Sequence, residues 1–153
     1  METWGNTDIL KLSKTGFLSS QKCPASIVLK SYDWAKKQRE QGNCIVCGNH
    51  SQIEKDVFEM LLKGNQPLIL VLARGIKSRW ESAVEEAAKT DRLLVISPFE
   101  KEIRRVTREY ARIRNQKIIE ISDDLVVGYA SEGGLLEGLL EGKNYTLLND
   151  VPK

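Results

Sequence analysis

Short apolar runs of strand length alternate along the chain with longer stretches in which apolar residues return every three or four positions. That rhythm predicts a parallel sheet covered by helices. A first strand is expected over 15–19, leaving through the polar loop Ser19-Ser20-Gln21-Lys22. Pro24 suits the first turn of a helix, and 25–41 continues in helical fashion to Gly42; within it, Ser26-Ile27-Val28-Leu29 also fits a strand. The second strand is expected over 43–47. Ser51 with Glu54 three residues on predicts a reciprocal capping box, opening a helix that carries Ile53, Val57, Met60 and Leu61 on one face and stops at Gly64. Residues 67–72 (PLILVL) are apolar throughout, as befits a strand buried on both faces. A helix over 78–89, a strand over 92–96 and the loop Ser97-Pro98-Phe99 follow.

The next segment reads as one helix from 101 onward. Ile103, Val106, Tyr110 and Ile113 fall on one face, and Arg104, Arg105, Arg108 and Arg112 on the opposite face. Arg114 turns back toward the Ile103 direction, hence toward the protein. A fifth strand (124–128), the loop Ser131-Glu132-Gly133-Gly134, a short helix (135–142) and a sixth strand (144–148) complete the pattern. The expectation is an α/β fold: a three-layer, Rossmann-like, doubly wound and mainly parallel six-stranded sheet. One domain spans 1–153, with its core over 15–148 and residues 1–14 as a lead-in.

Composition narrows the class. With 153 residues, 41% hydrophobic and 29% charged, the chain matches one soluble globular domain. No apolar run nears the ~18 residues of a membrane helix, and Met1-Glu2-Thr3-Trp4-Gly5-Asn6 lacks the basic head and apolar core of a signal peptide. A cytoplasmic location without membrane contact is expected. Cys23, Cys44 and Cys47 form an odd set suited to a reducing compartment. Cys44 and Cys47 spell CxxC, but on a strand positions three apart face opposite ways. With no second CxxC and His50 as the single histidine, a four-ligand zinc site cannot be assembled. Buried thiols, and no metal, are expected.

The net charge of +2 is unevenly distributed: 101–117 holds seven cations and two anions, a local +5 that leaves −3 for the rest. The outward arginines therefore stand either as a solvated helix face or as a nucleic-acid contact. Phe99, Tyr110 and Tyr129 are candidates for stacking on bases, whereas Trp34 and Trp80 are expected on helices away from the rim.

In a doubly wound sheet, ligands bind beyond the carboxyl ends of the strands where strand order reverses. The loops leaving those ends offer Ser20, Lys22, Gly48, His50, Ser51, Arg74, Gly133 and Gly134. Glycine, hydroxyl and cation together make a rim suited to phosphate, although the glycines serve equally well as plain turns. Neither GxGxxG nor GxxxxGK[ST] occurs, so dinucleotide and P-loop binding lack their signatures. His50-Ser51 is not set in a GxSxG elbow, and His50 reads as a loop or ligand contact rather than a base. Asp123-Asp124 reads as a turn on the opposite edge. No catalytic residue and no cofactor are assigned.

These residues resemble the DprA/Smf family of the SLOG superfamily. Asn43-Cys44-Ile45-Val46-Cys47-Gly48 is similar to that family's strand followed by Ser-Gly, with Cys47 for the serine. Phe17-Leu18-Ser19-Ser20-Gln21-Lys22 resembles its first strand and Gly-Ser-Arg loop. Arg114-Asn115-Gln116-Lys117-Ile118-Ile119 with Ile121-Ser122-Asp123 resembles its Arg-Asn-Arg-Ile-Ile and Leu-Ser-Asp signature, and Glu132-Gly133-Gly134-Leu135 its Ser-Gly-Ser-Leu. Gly48-Asn49-His50-Ser51 and Ala73-Arg74-Gly75 look like a shorter DprA-related branch. The resemblance implies a Rossmann-like fold and a site faced by Arg114 and Asn115. It implies single-stranded DNA as ligand and a RecA-type protein as partner. The +5 segment and the phosphate-type loops point to a nucleotide or the backbone of single-stranded DNA, and a homodimer stands beside the RecA-type partner. The LOG-type phosphoribohydrolases of the same superfamily are the rival. Their Pro-Gly-Gly-x-Gly-Thr-x-x-Glu motif needs a glutamate where counting from Gly134 gives Leu140, and glycine and threonine where Leu136 and Glu137 stand. A pure protein-interaction module is the third reading.

Overall fold

The computed structural model of the chain describes residues 1–148; residues 149–153 lie outside the described residues. In chain order the elements are β1 (Glu2–Gly5), a 3-10 helix (Thr7–Lys11), β2 (Lys14–Leu18), α1 (Ala25–Gln41), β3 (Cys44–Cys47) and α2 (Gln52–Leu62). They continue as β4 (Leu68–Val71), α3 (Ser82–Lys89), β5 (Leu93–Ser97), α4 (Arg108–Ile121), β6 (Asp124–Val127), α5 (Leu135–Leu140) and β7 (Thr146–Leu147).

The sheet runs β1-β5-β4-β3-β2-β6-β7, and every neighbouring pair is parallel except β1 with β5. From β2 the chain winds outward through β3, β4 and β5. It then returns across the sheet to β6 on the other side of β2, so strand order reverses between β2 and β6. Period-two alternation divides the strands between two cores. Phe17, Ile45, Cys47, Leu68, Leu70, Leu93 and Val95 meet Ala35, Val57, Leu61, Val84 and Ala87 of α1, α2 and α3. Leu18, Cys44, Val46, Ile69, Val71, Leu94, Ile96 and Val127 meet Ile118, Leu136 and Leu140 of α4 and α5, with Ile9 of the 3-10 helix. The result is the expected three-layer, Rossmann-like fold. Cys44 and Cys47 are buried in opposite cores, and burial pushes the Cys44 thiol up to about 11.

Local signals explain the boundaries. Gly42 adopts a left-handed φ of 75° and closes α1, and α1 is helical throughout, which settles the 26–29 ambiguity. Ser51 and Glu54 form the reciprocal capping box at α2.

Three expectations need correction. The sheet has seven strands, not six: Glu2–Gly5, within the stretch read as a lead-in, pairs antiparallel with β5 from Glu2↔Ser97 to Gly5↔Leu94. With only four residues and no period-two pattern of apolar side chains, it carried no strand signal. The second concerns the basic segment, which is not one helix. Thr107 caps α4, its hydroxyl accepting from the Tyr110 amide at 3.1 Å, so the helix starts at Arg108. Arg104 and Arg105 lie in the preceding loop, and the four-arginine helix face does not form. Third, α3 starts at Ser82, leaving Trp80 in the loop before it, stacked on Trp4 with ring centroids 5.3 Å apart.

Candidate functional site

The reversal between β2 and β6 opens a crevice of about 520 Å³, within the usual range of small-ligand sites. Its walls come from the β2 exit (Ser19, Ser20, Gln21, Lys22), the β3–α2 corner (His50, Glu54), the start of α4 (Thr107, Arg108, Ala111, Arg114, Asn115) and the β6 exit (Ser131, Gly134). Two hydrogen bonds tie the exits of β2 and β6 together: the Ser20 amide donates to the Tyr129 carbonyl (2.7 Å), and the Ser131 amide donates to Ser20 Oγ (2.9 Å). Gly128 permits this approach, since a Cβ there would lie 2.9 Å from Ser19 Oγ.

Beneath the crevice lies a buried pair of opposite charges. Glu54 is 2% exposed and Arg114 1% exposed. The Glu54 carboxylate accepts from three backbone amides: Ser19 (3.3 Å), His50 (3.3 Å) and Ser51 (3.0 Å). A carboxylate thus occupies the amide cradle that a bound anion would otherwise find at the mouth of α2. Arg114 Nη2 is 3.9 Å from Glu54 Oε1, too far for a hydrogen bond. Arg114 Nε donates to Asn115 Oδ1 at 2.7 Å, while Nη2 is buried with no hydrogen-bond partner among the described residues. Burial lowers the Arg114 pKa, and the Glu54 charge works against that shift; an arginine nevertheless stays charged.

The sequence places this arginine deliberately. The buried stripe of α4 is Ala111, Arg114, Asn115 and Ile118, so a charged and a polar residue hold the positions of helical spacing that packing would give to apolar side chains. Gly48, at the end of β3, leaves room for the guanidinium: a Cβ there would stand 2.5 Å from Arg114 Nη1.

Of the residues singled out from sequence, Ser20, Lys22, His50, Arg114, Asn115 and Gly134 line the crevice. Gly48 and Ser51 are buried beneath it, Gly48 against Arg114 and Ser51 in the capping box. Gly133 sits on the rim at φ 70°, its amide donating to Glu137 Oε1 (3.1 Å), and the Gly134 amide donates to the Ser131 carbonyl (3.0 Å). Arg74 is elsewhere: it lines a separate cleft with Lys101 and Arg104. Of the four arginines, Arg108 joins the crevice, Arg104 the separate cleft, and Arg112 pairs with Glu109; Arg105 is exposed and lines neither.

The spacing of Ser51 and Glu54 marks Glu54 as a capping residue, and its second role as a buried counter-charge to Arg114 is what that spacing does not reveal. The signal available was the pairing of a lone buried arginine with the need for a nearby anion. Most rim amides being already engaged, an anion entering the crevice would meet side chains: Lys22, Arg108, Arg114 and the Asn115 amide. His50 is held neutral at pH 7, its pKa lowered first by burial and then by the Arg114 charge.

The winding, the reversal and the crevice define a doubly wound, Rossmann-like class. Within it the fold is like that of DNA processing protein A. The chain superimposes on DNA processing protein A from Streptococcus pneumoniae with a TM-score of 0.74 at 19% identity, over 95% of this chain and 53% of that protein. It superimposes on DNA processing protein A from Helicobacter pylori, described for its single-stranded DNA binding mode, with a TM-score of 0.73 at 16% identity, over 95% of this chain and 69% of that one. A molybdenum cofactor binding protein from Rippkaea orientalis follows at 0.58 and 13% identity, over 88% and 75%. The chain thus spans about half the length of the Streptococcus protein. No family model matches the sequence, and no curated protein matches it.

Proposed function

We propose that the chain is a non-catalytic binding domain whose β2/β6 crevice holds the phosphate of a nucleic-acid strand or nucleotide, in DNA processing or recombination. The observation that carries this reading is Arg114: a guanidinium buried at the ligand crevice of the fold with a donor nitrogen left unpartnered. Buried polar groups are almost always hydrogen-bonded, and an exception calls for a cause. An anion above Arg114, steadied by Lys22 and Arg108, is that cause. The same crevice offers little to a hydrolase. Its one carboxylate, Glu54, is saturated by three amides, and the position where the LOG motif needs an acid is Leu140, buried in the core.

The likeness to DNA processing protein A favours single-stranded DNA over a free nucleotide, and it extends the proposal to a RecA-type recipient or a second copy of the chain as partner. Titration of a labelled single strand, read by anisotropy across salt concentrations, tests it. Binding should weaken steeply with salt, by about 0.7 in the log–log slope for each phosphate engaged, and Arg108→Ala or Lys22→Ala should weaken it further. Absent or salt-insensitive binding removes the reading.

A further inference from the structure

Beyond the crevice, the same carboxyl edge of the sheet carries a second cleft of about 510 Å³ where β4 and β5 end. Arg74, Lys77, Arg79, Lys101 and Arg104 surround it, with Glu102 as the one carboxylate among its lining residues. None of the five cations has an ion-pair partner among the described residues. Arg74 Nε donates to its neighbour's carbonyl, Gly75 O, at 3.1 Å, and Lys77 Nζ stands 5.3 Å from the centre of the Trp80 ring.

The cleft is a built feature and not a loose collection of side chains. The Gly75 amide donates to the Ile103 carbonyl at 2.6 Å, and the Ile103 amide to Glu100 at 3.0 Å. A Cβ at Gly75 would lie 2.3 Å from the Glu100 carbonyl oxygen, so only glycine allows the two loops to close this tightly. Ser97 Oγ donates to the Arg74 carbonyl at 2.6 Å and fastens the first loop to the end of β5. These bonds fix the backbone at 74–75 and 100–103, and five like charges surround the one open hollow between and beside these loops. Five cations against one carboxylate leave the hollow strongly positive, which makes it a place for a polyanion.

We infer that this cleft is a second contact for the nucleic-acid strand held in the β2/β6 crevice, engaging phosphates further along the same strand. The inference rests on the proposed function of that crevice. Continuity supports it: Arg104 lines the cleft and Arg108 the crevice. Three residues lie between them in the chain, four Cα steps that span at most ~14 Å, and the exposed Arg105 is one of the three. A ligand limited to one phosphate group reaches one site; a strand reaches both.

The test compares wild type with Arg79→Ala/Lys101→Ala/Arg104→Ala, three exposed positions whose loss leaves the core untouched. Binding of a thymidylate dinucleotide and of long oligothymidylate is measured across salt. The expected result is unchanged dinucleotide affinity, while the long strand binds at least tenfold more weakly and its salt slope falls by about 2, three phosphate contacts at about 0.7 each. Unchanged binding of the long strand by the triple variant overturns the second contact and leaves the crevice standing. Equal weakening of both ligands also overturns it, since the three cations would then act as a general field. Failure of wild type to bind either ligand sinks the crevice reading, and this one with it.

Discussion

Strand β2 has a buried cation near each end, and the two are treated differently. At its amino end Lys14, 7% exposed, donates through Nζ to the Leu10 and Leu12 carbonyls at 2.9 and 2.8 Å and stands 3.6 Å from Asp123. Its charge is fully accommodated. Beyond the carboxyl end Arg114 is more deeply buried and less satisfied, with one nitrogen orphaned and its carboxylate out of hydrogen-bonding range. A buried charge whose nitrogen is held by two carbonyls and a nearby carboxylate fixes structure. One with a donor to spare, under an open crevice, is poised for something that arrives.

The largest effect is expected from Glu54→Ala, which strips the acceptor from three amides and the counter-charge from Arg114. Stability measured by denaturant titration should fall by roughly 3–5 kcal/mol; a loss below about 1 kcal/mol would show that the carboxylate does not hold the crevice floor. Next come two matched substitutions. Lys14→Met and Arg114→Met should each cost about 1–3 kcal/mol, but only Arg114→Met should abolish anion binding. If Lys14→Met impaired binding as much, the contrast between the two ends would collapse. Gly48→Ala should also cost about 1–3 kcal/mol by overpacking, and it should weaken binding by displacing the guanidinium, visible as lower affinity in an otherwise folded protein.

The smallest effect concerns pH. His50 has a lowered pKa in the folded state, so below about 6.5 the unfolded chain takes up a proton that the folded one resists. The stability present above that value is lost as pH falls, and His50→Gln should flatten that part of the profile. An identical profile in the variant would assign the acid sensitivity to other groups.

The fold was legible because its signals were strong and local: PLILVL for a doubly buried strand, Gly42 for a helix end, Ser51 and Glu54 for a helix start. The site was legible in part. Ser20, Lys22, His50 and Asn115 could be gathered because carboxyl-end loops converge by topology. Arg74 could not be separated from them, since sequence order does not tell how far a loop stands from the point where strand order reverses. The basic segment misled because apolar residues in the loop before Thr107 happen to continue the spacing of the helix after it. The orphaned nitrogen of Arg114 depends on a few tenths of an ångström, which no spacing rule conveys.

The antiparallel β1 has a use that the ligand site does not touch. It lies along β5, whose five residues are all buried, and so occupies the flank of the sheet that would otherwise offer free amides and carbonyls to any passing extended chain. Removing those first few residues should therefore cost little in the binding crevice yet make the protein prone to self-association, with one molecule lending its strands to the uncovered flank of the next.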